Sequence, residues 1–133
     1  SDEALVHFAE NIDFDILVFI QPTSPLLKSS DINKALQKMK IYDSVFSVTK
    51  EHWIPRWSET GEPIDWDIND RPMRQDVKET YIENGAFYVT TKKQLLNSQL
   101  RYGGNIGMIE IPLHRSFQID TIDDLKLIGK LLK

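Results

Sequence analysis

Gln21, Thr23 and Ser24 follow directly on the apolar run Ile16 to Ile20, and Pro22 and Pro25 hold the chain around them. Short polar side chains at the end of a buried strand stand where open α/β sheets meet their ligands. The prolines fix φ, so little backbone freedom is left for a ligand to remove. A rigid strand-to-helix connection with a polar surface has the same composition. A second set is Arg71-Pro72-Met73-Arg74-Gln75-Asp76, which puts two guanidinium groups beside an amide and a carboxylate. Arginine's planar fork captures carboxylates and phosphates through paired hydrogen bonds, and a solvated charged turn is the plainer reading.

Two more stretches follow. Glu83-Asn84-Gly85-Ala86-Phe87-Tyr88 reads as an Asn-Gly turn feeding an aromatic strand, and it carries chemistry only if Asn84 and Tyr88 face one cleft. Phe117-Gln118-Ile119-Asp120-Thr121-Ile122-Asp123-Asp124 gathers carboxylates at a helix start. Asp123 and Asp124 fall in the first turn, where they complement the helix dipole. Asp120 precedes the cap, where its oxygen can serve a hard cation such as Mg²⁺ or simply cap the turn. His7, His52 and His114 lack metal-ligand spacing. The stretch Gly103-Gly104-Asn105-Ile106-Gly107 has neither the strand and helix context of a dinucleotide fingerprint nor the Lys-Ser/Thr pair of a phosphate loop, so it reads as a flexible turn.

The elements that must position these residues alternate. Ser1 starts a helix with a stripe of Leu5, Phe8, Ala9 and Ile12, and Ile16–Ile20 reads as a strand buried on both faces. Ser30 or Asp31 caps a second helix with Ile32, Ala35, Leu36 and Met39 inward, and Ser44–Thr49 is the next strand. That order is a βαβ unit, which predicts a parallel pair with a right-handed crossover. Residues 50–83 hold all three tryptophans and no clean period, as a functional segment or a partner-binding arm would. Strands are predicted at Gly85–Thr90, Met108–Ile111 and Ser116–Asp120, and a short helix at Thr91–Leu96. A last helix follows Thr121, with Ile122, Leu125, Ile128 and Leu132 on its buried face.

The whole chain has 133 residues, about one domain, with 41% apolar and 27% charged residues. No apolar run approaches the ~18 residues of a membrane span. A net charge of −4 with scattered basic residues leaves no footprint for nucleic acid. The absence of cysteine excludes disulfides, thiolate metal sites and a cysteine nucleophile, and a cytoplasmic location is the expectation.

Taken in order, QPTSPLL, RPMRQD, YIENGAFYV and FQIDTIDDLKL resemble the C-terminal part of the CMP-sialic acid synthetases, the N-acylneuraminate cytidylyltransferase family. The resemblance covers nearly the whole chain and implies an α/β, Rossmann-like nucleotide-diphospho-sugar transferase fold, with a mostly parallel sheet and an irregular dimerisation arm at 50–83. It implies a nucleotidyltransferase that joins CTP and a nine-carbon α-keto acid sugar into CMP-sugar and pyrophosphate, with Mg²⁺ and a homodimer. By motif, Gln21 corresponds to the sugar-binding residue and Arg74 to the basic group meeting the sugar acid. Gln75 and Asn84 support that pocket, Tyr88 and Tyr102 line it, and Asp120 corresponds to the metal-binding aspartate. Many members carry Asp-x-Asp there; here the first position is Gln118, a neutral oxygen for the ion, directly or through water.

The family's glycine-, arginine- and lysine-containing nucleotide loop has no counterpart in these residues. They are therefore expected to be the C-terminal portion of a single cytidylyltransferase domain, inactive alone. The motifs leave open N-acetylneuraminate against legionaminate, and CTP against GTP. The alternative function is a non-catalytic sugar-acid-binding or dimerisation module derived from the family, with Gln118 as the trace of lost catalysis.

Overall fold

The computed structural model describes all 133 residues. A four-stranded sheet has the order β1-β5-β2-β6, and the short strands β3 and β4 pair separately. Its members are β1 (Ile16–Ile20), β2 (Ser44–Glu51), β5 (Thr80–Thr91) and β6 (Ile106–Glu110); β3 is Arg56–Trp57 and β4 Pro63–Ile64. Helices α1 (Asp2–Asn11), α2 (Ser29–Lys38), α3 (Lys92–Ser98) and α4 (Ile122–Leu131) complete the fold.

Strands β1, β2 and β6 run in one direction, as the α/β expectation requires, and β5 runs against them between β1 and β2. The expected direct β1–β2 parallel pair is therefore absent, and β2–β6 is the neighbouring pair that is parallel. The central slot favours a strand that can be buried on both faces. In β5 the run Ala86 to Thr90 meets this requirement, for all five residues are buried. The same topology corrects the expectation for β1. It is an edge strand whose ends, Ile16 and Ile20, are exposed, with only the middle half-buried.

Alternation along the strands sends Val18, Val45 and Val89 to one face and Leu17 to the other. Helix α2 covers the first face, where Ala35 packs among Val45, Ala86, Phe87, Val89, Ile109 and Ile111. On the second face α1 and α3 join Val6, Ala9 and Leu95 against Phe14 and Leu17. Each large side chain so buried contributes about 1.5–3 kcal/mol. In α1 the buried positions are Val6 and Ala9, whereas Phe8 and Ile12 are exposed.

Caps form where side-chain oxygens meet unpaired helical N–H groups. Ser1, Thr91 and Thr121 accept from Ala4, Gln94 and Asp124. Helix α2 starts earlier than expected. Lys28 occupies its cap position, and Asp31 reaches back to accept from the Lys28 N–H at 2.9 Å.

Two further expectations change. Residues Ser116–Asp120 follow a 3-10 turn at Leu113–Arg115 and form no strand, being tied to the Pro-Thr-Ser loop by Ile119 N–H donating to Thr23 O at 2.9 Å. Helix α4 buries Ile128 only, and Ile122, Leu125 and Leu132 remain exposed because no other layer of this chain covers them. The Gly103–Gly107 stretch is not the expected flexible turn: Ile106 and Gly107 open β6, and the loop before them is pinned where the Ser44 hydroxyl donates to Gly103 O and Asn105 N–H donates to the Asp43 carboxylate.

Candidate functional site

The end of β1, the middle of β5 and the segment before α4 meet in a polar hub. Gln21 N–H donates to Ala86 O at 3.0 Å, so the loop after β1 stays attached to β5. Thr23 Oγ1 donates to Gln118 Oε1 at 3.0 Å, and Gln118 Nε2 donates to Ser24 Oγ at 2.6 Å and to Asn84 O at 2.7 Å. One amide thus joins three stretches of chain that sequence motifs had singled out separately.

Asn84 and Gly85 do not form the expected turn. They lie within β5 at a bulge, where the register passes from Phe46↔Tyr88 to Val48↔Glu83 across Ser47, and Gly85 takes φ +74°. A residue with a Cβ is strained at that φ, so glycine suits the bulge. Two buried hydroxyls on β2 hold it. Ser47 Oγ donates to Asn84 Oδ1 at 2.6 Å, and Asn84 Nδ2 donates to Thr49 Oγ1 at 2.9 Å. Phe87 N–H in turn donates to Ser47 Oγ. Asn84 is therefore spent on the bulge, and no buried side-chain polar atom lacks a partner.

Tyr88 and Tyr102 do meet. Phe19, Tyr88 and Phe46 form a row across three strands, with successive centroids 6.2 Å apart, and the Tyr102 ring stands edge-on to Phe46 and Tyr88. Both tyrosine hydroxyls donate to Glu83 Oε1. Arg101 lies over the Tyr88 ring at 4.8 Å and is anchored by Asp2 Oδ1 at 2.7 Å. Burial first, then the Glu83 hydrogen bond and charge, raise the Tyr88 pKa, so this phenol stays a hydrogen-bond donor.

Arg74 and Gln75 lie in a 3-10 turn of the arm. They line a cleft of about 350 Å³ with His52, Trp53, Val77 and Glu79, and the Arg74 guanidinium is exposed and in no ion pair. Trp66 stands edge-on to Trp53 and Trp57 and donates its indole N–H to Arg56 O, which orders the arm locally.

Asp120 sits just before α4, exposed, with its N–H donated to Asp124 Oδ2 and its own carboxylate unpaired. Its recess, about 360 Å³, is walled by Ile119, Thr121, Ile122 and Leu125. No group of three or more carboxylate, histidine or cysteine side chains forms a protein-only metal cage. Mg²⁺ retains several waters and binds through one or two carboxylates together with substrate phosphates. A single free carboxylate at Asp120 fits that chemistry. Gln118, the other expected ligand, has its amide committed to Thr23, Ser24 and Asn84.

Sequence reasoning missed Ser47, Thr49, Glu83, Arg101 and the pair Asp31–Arg115. Arg115 bonds both carboxylate oxygens of Asp31, at 2.7 and 3.0 Å, and Asp31 is 2% exposed. Burial opposes the Asp31 charge, but the Arg115 and Lys28 hydrogen bonds outweigh it and hold the pKa below its ordinary value. The available signal was in β2: Ser47 and Thr49 share the core-facing side with Val45, and hydroxyls buried there require partners.

No family model matches the chain. N-acylneuraminate cytidylyltransferase B of Danio rerio is 38% identical over an alignment that covers 82% of this chain and 27% of that protein. CMP-N,N'-diacetyllegionaminic acid synthase of Legionella pneumophila is 27% identical over an alignment that covers 92% of this chain and 56% of that one. The chain thus spans between about a quarter and just over half the length of these relatives. Among solved structures, 4-diphosphocytidyl-2C-methyl-D-erythritol synthase from Anaerococcus prevotii superimposes with a TM-score of 0.72 at 11% identity, over 98% of this chain and 63% of that one. CMP:2-keto-3-deoxy-manno-octonic acid synthetase complexed with CTP gives 0.65 at 16% identity, over 99% and 68%. The fold is that of these solved nucleotidyltransferases, and by sequence the chain is similar to the N-acylneuraminate cytidylyltransferases over 82% of its length.

Proposed function

We propose that the protein carrying this chain transfers CMP from CTP to the anomeric hydroxyl of a nine-carbon α-keto acid sugar, and that these residues supply the sugar half of the site. The anomeric oxygen bonds to the α-phosphorus, the bond from that phosphorus to the bridging oxygen breaks, pyrophosphate leaves, and the hydroxyl proton passes to solvent. One observation carries the proposal: the Gln21 loop, the Asn84 bulge and the Gln118–Asp120 segment, distant in sequence, are joined in one hub.

In this reading Arg74 meets the sugar carboxylate with Gln75 beside it, and Gln21 hydrogen-bonds the sugar from its prearranged loop. Asn84 acts by holding the bulge, and Tyr88 and Tyr102 present an aromatic wall with fixed hydroxyls. Asp120 holds Mg²⁺, which when bound supplies charge neutralisation and alignment at the transferring phosphate. The nucleotide is held mainly by residues outside this chain. A second copy closes the site through the arm, where Ile54, Ile68 and Met73 are exposed apolar side chains. The reading of a sugar-acid-binding module without catalysis is favoured by one residue, Gln118 in place of a carboxylate.

The test is pyrophosphate release by the full-length protein with CTP and Mg²⁺, offering N-acetylneuraminate and legionaminate in parallel. Release with one sugar, reduced about 100-fold or more in Asp120→Ala, is the expected outcome. Silence with both sugars, and with GTP in place of CTP, in a folded protein overturns it.

A further inference from the structure

Two residues before Asp120, Gln118 holds an amide whose two ends reach three partners. We infer that Gln118 is a positioning residue, a latch that fixes the Gln21 loop against the Asn84 bulge, and that it gives nothing to the metal. The inference rests on the proposed function for its catalytic consequence only; the latch itself is independent of any reaction.

An amide suits this place better than an acid for a stated reason. Its Oε1 faces a donor, Thr23 Oγ1, while its Nε2 faces two oxygens, Ser24 Oγ and Asn84 O, at 2.6 and 2.7 Å. The Asn84 carbonyl can only accept, so a carboxylate facing it leaves two acceptors opposed in a part-buried setting. The neighbouring backbone depends on the same arrangement. Ile119 N–H donates to Thr23 O and Gln21 N–H donates to Ala86 O, so main-chain bonds tie the same three stretches. The short hydroxyls of Thr23 and Ser24 and the neutral amide at Gln118 form one hydrogen-bonded set that preorganises the loop. Asp120, exposed and free of such bonds, is left as the single anionic ligand of this segment.

Gln118→Glu decides between latch and ligand, because it keeps an oxygen facing Thr23 and removes both donors. Amide hydrogen exchange on the full-length protein without substrates should then show faster exchange at Gln21, Ala86 and Ile119, by about tenfold. With CTP and sugar acid present, the KM for the sugar should rise about tenfold while the Mg²⁺ activation constant moves less than about twofold. Thr23→Val removes one bond of the latch and should give the same pattern more weakly, which covers a Gln118→Glu protein that fails to fold. Unchanged exchange at those amides in the folded variants overturns the latch. A Mg²⁺ activation constant that falls severalfold in Gln118→Glu overturns the claim that this position serves no metal. Faster exchange in a protein that transfers no CMP leaves the latch standing and counts against the proposed function instead.

Discussion

The hub and the arm are built on opposite principles. In the hub, Thr23, Ser24, Ser47, Thr49, Asn84 and Gln118 direct their side-chain hydrogen bonds at one another or at main chain, and nothing buried is left unpaired. In the arm, a two-residue pairing of β3 with β4 and edge-on contacts among three tryptophans hold the chain, while Ile54, Ile68 and Met73 face solvent and Arg74 has no ionic partner. Hydrogen bonds satisfied internally make a rigid place to position atoms. A free guanidinium keeps its bonding capacity for an arriving anion. The division of labour follows: lesions in the hub should cost stability, and lesions in the arm should cost binding.

The largest expected effect lies beside the hub, at Arg115. Arg115→Ala leaves the buried Asp31 carboxylate without its bidentate partner and should lower unfolding stability by about 3 kcal/mol in urea titration. The same pair sets a pH dependence. Asp31 has a folded pKa below the ordinary 3.8, so its stabilisation is present above that value and is lost as pH falls through the lower folded pKa. The variant should lack that part of the acid sensitivity, as thermal melts across the range would show.

Ser47→Ala comes next. It removes the donor to Asn84 and the acceptor for Phe87 N–H in a fully buried position, at a cost of about 1–2 kcal/mol, read by the same titration. If that variant is neutral, the bulge is not held as described, and the hub loses its contrast with the arm. The smallest effect belongs to the arm. Trp66→Phe loses one indole hydrogen bond to Arg56 O and should change global stability by less than about 1 kcal/mol. A loss as large as that of Arg115→Ala would show that the arm is part of the core.

Local patterns made much of the fold legible. Thr91 and Thr121 signalled their helices because capping is a matter of a few adjacent residues. Ile16–Ile20 and Ser44–Thr49 were recognisable as strands, but their neighbours were not, because the slot between them went to β5, a strand that begins inside the irregular tryptophan-rich segment. Asn84-Gly85 misled for a related reason. Its local preference for a turn is overridden by Ser47 and Thr49 across the sheet, 37 and 35 residues away. The spacing of Ile122, Leu125 and Ile128 announces a helix and says nothing of what covers it. The Asp2–Arg101 contact joins residues 99 apart, and no pattern in either neighbourhood points to the other.

The candidate site divides in the same way. Motif order groups Gln21, Asn84 and Gln118, and in the structure their stretches touch: Gln21 follows β1, Asn84 interrupts β5, and Gln118 lies in the irregular segment before α4. What motifs could not supply was the direction of each side chain, and there Asn84 and Gln118 turned inward to the hub.

The most direct measurement is calorimetric titration of N-acetylneuraminate, with legionaminate in parallel, into the full-length protein and its Arg74→Ala variant. Saturable binding of one sugar acid, weakened about 10- to 100-fold by Arg74→Ala with unchanged melting, is the predicted result. Equal affinity in the two proteins, or no binding of either sugar, would contradict the assignment of this chain as the sugar-acid half of the site.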